Sequence, residues 1–173
     1  VSKKADYKKG IANANNGLGV FYWVQGKMDS ALIYYKKSLK IRAQIGDKEG
    51  TASTSVNIGA IYKYQGKDDK AIELYHQALR IEESIGNTKG MSNCYHNLGM
   101  IYTDQGDYPK ALKYYQDAID IRQGIRDTMG LMITYNNMGS TYTRQGKFEK
   151  AITFHQQAIV LASAVEDNSN LAA

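Results

Sequence analysis

Between Asp47 and Ile85 the apolar and small residues fall at three- and four-residue steps, in two stretches separated by a break. Ala52, Ser55, Ile58, Gly59 and Tyr62 form the first stripe, and Gln65-Gly66-Lys67 interrupts it. Ala71, Leu74, Tyr75, Ala78, Leu79, Ile81 and Ile85 form the second. Such steps place each set on one side of an α-helix, so the stretch predicts two amphipathic helices joined by a tight turn. Gly86-Asn87 closes it with a glycine past the helix end and a side chain able to cap the next helix, and Gly46-Asp47 does the same one unit earlier. Arg126-Asp127 keeps the cap without the glycine. Pro109, two residues after Asp107, belongs in a first helical turn, where its missing N–H is harmless.

The pattern recurs with a step of forty residues: Gly10, Gly50, Gly90 and Gly130; Gly19, Gly59, Gly99 and Gly139; Tyr22, Tyr62, Tyr102 and Tyr142. Gln25-Gly26, Gln65-Gly66, Gln105-Gly106 and Gln145-Gly146 keep the same step, as do Ala31, Ala71, Ala111 and Ala151. A fixed period of this kind marks stacked supersecondary units, each burying its apolar side only against its neighbours. The repeats are predicted at 7–46, 47–86, 87–126 and 127–166, with 167–173 the start of a truncated further repeat or a cap. Each repeat reads as two antiparallel helices of roughly sixteen residues. A glycine inside a helix costs about 1 kcal/mol relative to alanine, so the Gly59 column implies a contact that tolerates no Cβ. The expected contact is with Ala71 and Ala78 on the second helix, Tyr62 and Tyr75 filling the wider gaps.

Composition changes this picture little. With 43% hydrophobic and 23% charged residues, the chain belongs with folded rather than disordered proteins. No apolar run approaches a bilayer span, and the start carries no signal-peptide pattern. The chain opens at Val1 without a methionine and is expected to be an excerpt of something longer, so the cytoplasm is favoured only by default. A lone cysteine, Cys94, excludes an internal disulfide and is expected to be a small packed residue.

The motifs resemble the tetratricopeptide repeat, whose pattern is W-x₂-L-G-x₂-Y followed by A-x₃-F and a proline. Leu18-Gly19-x₂-Tyr22, Ile58-Gly59-x₂-Tyr62, Leu98-Gly99-x₂-Tyr102 and Met138-Gly139-x₂-Tyr142 match the first part. Ala31-x₃-Tyr35, Ala71-x₃-Tyr75, Ala111-x₃-Tyr115 and Ala151-x₃-His155 match the second. Asn15, Ser55, Tyr95 and Tyr135 stand at the tryptophan position, and Ala43, Glu83, Gln123 and Ser163 at the closing proline. The forty-residue period is similar to that of kinesin light chains, spindle-orientation adaptors and bacterial signalling proteins. The resemblance implies an all-α, right-handed superhelical solenoid of antiparallel helix pairs, with a protein or peptide ligand in a concave groove lined by the first helices.

On that basis the groove is expected on the side of each first helix opposite its packed stripe. Asn57, Asn97 and Asn137 form a column there, and an amide supplies both a donor and an acceptor for the backbone of an extended peptide. The alternative is that these asparagines bond a neighbouring helix or water. Asn93, Lys63 and Asn136 are further peptide-binding candidates on this face, and His96, Tyr64 and Arg144 are expected to select side chains of the ligand. Trp23, with Val20 and Val24, is either an apolar anchor site or a residue packed against a preceding repeat.

Other chemistries find less support. His76, His96 and His155 lie in different helices without ligand-spaced partners, so neither a metal nor another cofactor is expected. No nucleophile elbow or phosphate loop frames a catalytic set, so the chain is not expected to be an enzyme. The net charge of +5 raises the question of nucleic acid, but Lys36, Lys37, Lys40, Arg42, Lys110 and Lys113 are interleaved with Asp68, Asp69, Glu73, Glu82, Glu83 and Asp117. These charges are expected to be solvated faces, not a phosphate-tracking stripe. A spacer that self-associates through its repeat ends, where Ile152, Ile159 and Leu161 are expected to lie uncovered, is the second functional class kept open.

Overall fold

The computed structural model describes the backbone of residues 3–171 and the side chains of residues 3–165. Among the described residues there are eight α-helices and no strand: α1 (Lys3–Val24), α2 (Met28–Ile45), α3 (Lys48–Tyr64), α4 (Asp68–Ile85), α5 (Thr88–Asp104), α6 (Tyr108–Gly124), α7 (Thr128–Arg144) and α8 (Phe148–Leu171). They fall into two compact units, Val1–Gly90 and Met91–Ala173, where the sequence predicts a single array. In the first unit α1 packs on α2, α2 on α3 and α3 on α4; in the second α6 packs on α7 and α7 on α8.

The turns form as the sequence predicts. Gly26, Gly66, Gly106 and Gly146 take the left-handed backbone between the helices of each pair, with φ between +68° and +79°. Between pairs, the side chains of Asp47, Asn87 and Asp127 accept from the backbone N–H of Gly50, Gly90 and Gly130 at 3.1, 3.1 and 3.0 Å. Asp107 caps α6 through Lys110 N, and Pro109 sits in that helix's first turn. Arg126 holds φ +57° where Gly86 and Gly46 stand one and two repeats earlier, a conformation that costs a side-chain-bearing residue about 1–2 kcal/mol.

Packing inside the pairs corrects one expectation. The Gly59 column does not make room for the alanines of the second helix. It accommodates an aromatic ring: a Cβ on Gly59 would meet Tyr75 Cε1 at 2.7 Å, and one on Gly99 would meet Tyr115 Cδ1 and Cε1 at 2.7 Å. In the fourth repeat Gly139 faces the imidazole of His155 in the same way. Tyr75 and Tyr115 are buried, so the ring lying against the glycine fills the space between the helices. Burial pushes the Tyr115 phenol up to about 12, and its oxygen accepts from Thr103 Oγ1 at 3.4 Å. Elsewhere Tyr22 stacks on Tyr34, Tyr102 on Tyr114 and Tyr142 on Phe154. Cys94 is a fully buried thiol in no disulfide, as expected.

Helix α8 departs from the pattern. Its counterparts α2 and α4 end at a left-handed glycine and α6 ends at Gly124, but α8 continues through residues 167–171 to Leu171. Residues 172 and 173, the rest of the expected truncated repeat or cap, lie outside the described residues.

Candidate interaction face

Two buried arginines, one of which, Arg42, the sequence reading placed on a solvated face, organise the first-helix side. Arg42, near the end of α2, reaches back and forward from an interior position. Its Nε donates to Ser38 Oγ (3.1 Å), Nη1 to Asp47 Oδ2 (2.5 Å) and Nη2 to Asn13 Oδ1 (2.8 Å). Arg122 repeats this in the second unit: Nη2 donates to Asn93 Oδ1 (2.9 Å), Nη1 to Gly130 O (2.7 Å) and to Thr134 Oγ1, and Nε to Ser92 Oγ (3.4 Å). Asp127 Oδ2 lies 3.9 Å from Arg122 Nε. Burial pulls the Arg122 guanidinium down, and Asp127 opposes that. Each arginine thereby ties the end of a second helix to its own first helix and to the start of the next. The same geometry explains Gly50 and Gly130, two members of the Gly10 column, where a Cβ would collide with the guanidinium and the capping carboxylate.

In the second repeat the arginine's place is taken by Glu82, also read as solvated and also buried. Its Oε2 has no hydrogen-bond partner, while Asn87 bonds the other side of the carboxyl. Burial raises its pKa above the ordinary carboxylate range, the Asn87 bond opposes that, and Glu49 adds to the rise.

On the first helices of the second unit, α5 and α7 are joined by a polar seam. Thr103 Oγ1 meets Thr141 Oγ1 at 2.9 Å, His96 Nδ1 meets Thr134 Oγ1 at 3.2 Å, and Asn137 Nδ2 meets His96 Nε2 at 3.1 Å. With the Asn137 amide nitrogen donating, His96 Nε2 accepts, and both Thr134 Oγ1 and Arg122 Nη1 lie within 3.5 Å of Nδ1. Burial, with Arg122 nearby, lowers the imidazole to about 4, so the ring is neutral at physiological pH. At the exposed end of the seam Arg144 Nη1 pairs with Asp104 Oδ1 at 3.0 Å.

In the first unit the joint between α1 and α3 is looser. Asn57 Nδ2 donates to Asn16 Oδ1 at 3.4 Å, and Thr54 Oγ1 lies 3.5 Å from the same oxygen. Trp23 is half-buried beside the core of Ala31, Tyr35, Ile58 and Ile61 and meets the exposed Tyr64 ring edge-on at 5.8 Å. It therefore packs against its own pair and the following one.

Of the predicted site residues, Asn57, Asn97, Asn137 and Lys63 are half-buried, while Tyr64, Asn93, Asn136 and Arg144 are exposed. His96 is 8% exposed, so it does not present a ring to a ligand; it positions Asn137. Thr103, beside it on α5, is also buried and bonded across the seam. Asn93 holds Arg122, and Asn136 Oδ1 accepts from His155 Nδ1 at 2.9 Å. Asn97 is the one asparagine of the column whose side chain makes no hydrogen bond among the described residues. Its counterparts bond Asn16 and His96, whereas the matching position in the second repeat is the apolar Val56. The arginines were the residues that sequence reasoning missed. The signal was present in the eighty-residue recurrence of Asn13, Arg42 and Asp47 as Asn93, Arg122 and Asp127.

The sequence model of the tetratricopeptide repeat family matches residues 10–84, 57–124 and 90–164, overlapping spans that cover most of the chain. The chain belongs to the tetratricopeptide repeat family. Among solved structures, the chain is similar to BtubC (BKLC) from P. vanneervenii with 28% identity and a TM-score of 0.78, over 90% of this chain and 64% of that one. It is similar in fold to aspartyl phosphate phosphatase F from Bacillus subtilis, with 15% identity and a TM-score of 0.85, over 96% of this chain and 43% of that one. MamA shares the fold with 20% identity and a TM-score of 0.66, over 90% of this chain and 81% of that one. The chain thus spans less than two thirds of BtubC and less than half of the phosphatase. No curated protein matches it. As a tetratricopeptide repeat chain it is a protein-interaction scaffold. Among the described residues no helix is long and apolar enough to cross a membrane, and no group of three His, Cys, Asp or Glu is placed to hold a metal ion.

Proposed function

We propose that the first-helix side of this chain binds an extended peptide segment of a partner protein and carries out no chemistry of its own. The observation that carries this is the state of the asparagine column. Asn57 and Asn137 each commit one amide N–H to the preceding first helix, which fixes the side chain and leaves a carbonyl oxygen and a second N–H unspent. Asn97 keeps its whole amide. One donor and one acceptor are what a peptide group requires, and an amide held by a neighbour pays less ordering entropy on binding. Arg144 and Asp104, exposed and paired, offer opposite charges at the rim, and the Trp23–Tyr64 pair offers an apolar step.

The test is to select an extended peptide ligand from a displayed library and compare the wild type with Asn→Ala variants by calorimetry. Each lost hydrogen bond should cost about 0.5–1.5 kcal/mol, and the triple variant at Asn57, Asn97 and Asn137 a few times that. Asn97→Ala is the most telling single change, because it removes no bond within the fold. Its melting temperature should equal the wild type's while its affinity falls. Unchanged affinity in a folded triple variant refutes the reading.

A further inference from the structure

Three of the helix pairs set two rings face to face. Tyr22 stacks on Tyr34, Tyr102 on Tyr114 and Tyr142 on Phe154, with centroids 5.2, 5.5 and 5.3 Å apart. The first ring of each stack is the recurring tyrosine of the first helix, and the second comes from the facing helix of the same pair. In the second pair the facing position is Leu74, and Tyr62 meets no other ring among the described residues.

The place next to Tyr62 and Leu74 is open. A cavity of about 340 Å³ lies there, with Leu39 of α2 and Ile58 of α3 completing its apolar part. Its walls are α2, α3 and α4, three consecutive helices inside the first compact unit. Tyr62, Leu74 and Leu39 are each half-buried, so apolar surface remains for a ligand to cover.

The rim is cationic. Lys36 of α2 and Lys70 of α4 line the cavity from its two flanking helices, both exposed and both without an ion pair among the described residues. Lys70 Nζ lies 5.7 Å from the centroid of the Tyr62 ring, and Lys67 Nζ 6.0 Å from it. The one carboxylate on the wall, Glu73, is engaged by Gln77, whose Nε2 donates to Oε1 at 3.0 Å. Stepping by forty from Lys36 gives His76, Gln116 and Gln156, so the α2 cation is particular to this place.

We infer that this cavity seats a phenylalanine or tyrosine side chain of a partner protein, presented by a segment with carboxylates on both sides of that residue. The ring answers the position where the other pairs supply Tyr34, Tyr114 and Phe154, and stacking on Tyr62 is the contact it would make. The carboxylates answer Lys36 and Lys70, one on each flanking helix, and a basic segment would be repelled by the same pair. The site shares no residue with the asparagine column, so it stands or falls independently of peptide binding there.

The experiment titrates the whole chain with a blocked pentapeptide, a phenylalanine between two pairs of aspartates, followed by amide NMR shifts. Saturable shifts centred on Tyr62 and Leu74 are expected. Replacing the phenylalanine by alanine should weaken binding by about tenfold or more, and replacing the aspartates by asparagines by about fivefold or more. Leu74→Phe gives the second pair the ring that Phe154 supplies in the fourth, so it should fold with unchanged helicity and lose the peptide. Lys36→Gln with Lys70→Gln alters two exposed residues, and should weaken binding whatever Leu74→Phe does to the fold. The triple variant Asn57→Ala, Asn97→Ala and Asn137→Ala should bind this peptide as the wild type does. The inference is overturned by an alanine or asparagine peptide that binds equally well, or by a folded Leu74→Phe variant with wild-type affinity. Undiminished affinity in the double lysine variant, loss of binding in the triple asparagine variant, or no saturable shifts at Tyr62 overturns it equally.

Discussion

Replacing Gly99 by alanine tests the packing reading with a single methyl group. The added carbon would lie 2.7 Å from Cδ1 and Cε1 of Tyr115 and 3.0 Å from Cζ. Carbon atoms rest at about 3.5–4.0 Å, so the ring would have to retreat by close to an ångström. Tyr115 is 1% exposed, its hydroxyl bonds Thr103, and the His96 ring lies 5.6 Å away, so no free volume waits behind it. Overpacking of this kind costs about 1–3 kcal/mol. Against it stands the gain of about 0.5–1 kcal/mol from removing a glycine from a helix interior. The net expectation is a loss of about 0–2.5 kcal/mol.

Gly10→Ala is the control, because a Cβ there meets nothing within 4 Å and only the gain remains. The two variants should therefore move stability in opposite directions. For a chain of this size 1 kcal/mol shifts the melting temperature by about 2–4 °C, within reach of circular dichroism. Urea titrations fitted with a nearest-neighbour repeat scheme guard against loss of two-state behaviour. Shortening the ring with Tyr115→Leu in the Gly99→Ala background should recover part of the loss, a coupling that distant sites do not show. If Gly99→Ala is as stable as Gly10→Ala, the ring against the glycine is not what keeps that column free of side chains.

Arg126→Gly should stabilise the chain by about 1 kcal/mol in thermal unfolding, since the residue sits at φ +57° where two other repeats place glycine. Glu82→Met should also stabilise it, by about 1 kcal/mol at neutral pH, by removing a buried oxygen without a partner. The sign with pH follows from burial raising the folded pKa: the Glu82 contribution is present below the ordinary carboxylate range and lost as pH rises through the raised value, so the benefit of the substitution should shrink in acid. His96 runs the other way. With its folded pKa lowered from 6.5 to about 4, its contribution is complete above 6.5 and lost as pH falls towards 4, about 3 kcal/mol in all. Urea midpoints for His96→Gln should flatten over that window, and an unchanged profile would mean the ring is not buried as described.

The helix pairs, their turns and their caps were legible because each rests on local chemistry: the stripe positions, Gly66 at a left-handed turn, Asp47 at a helix start. The partner of the repeated glycine was not legible. A column of Gly59, Gly99 and Gly139 says that some atom is close, but Ala71 and Tyr75 are both on the facing helix, and only the direction of each side chain decides between them. Glu82 and Arg42 were misread for a related reason. Charged residues are mostly exposed, and composition alone gives no ground for burying these two. What distinguishes Arg42 is a set of partners twenty-nine residues before and five after it, Asn13 and Asp47, which the fold alone brings to one guanidinium.

That arrangement bears on function. A solenoid held only by apolar stripes fixes the separation of its helices better than their rotation. The arginine clamps and the polar seam are directional, since a guanidinium satisfied on three sides and an imidazole accepting from an amide have each one satisfactory orientation. Arg122 fixes Asn93, Thr134 and the start of α7; Thr134 holds His96; His96 holds Asn137. The chain of bonds runs from the interior to the interaction face and ends on an amide with one donor and one acceptor to spare. Charging His96 would convert its acceptor into a donor and break the last link, so the readiness of Asn137 for a ligand depends on the same burial that keeps the ring neutral.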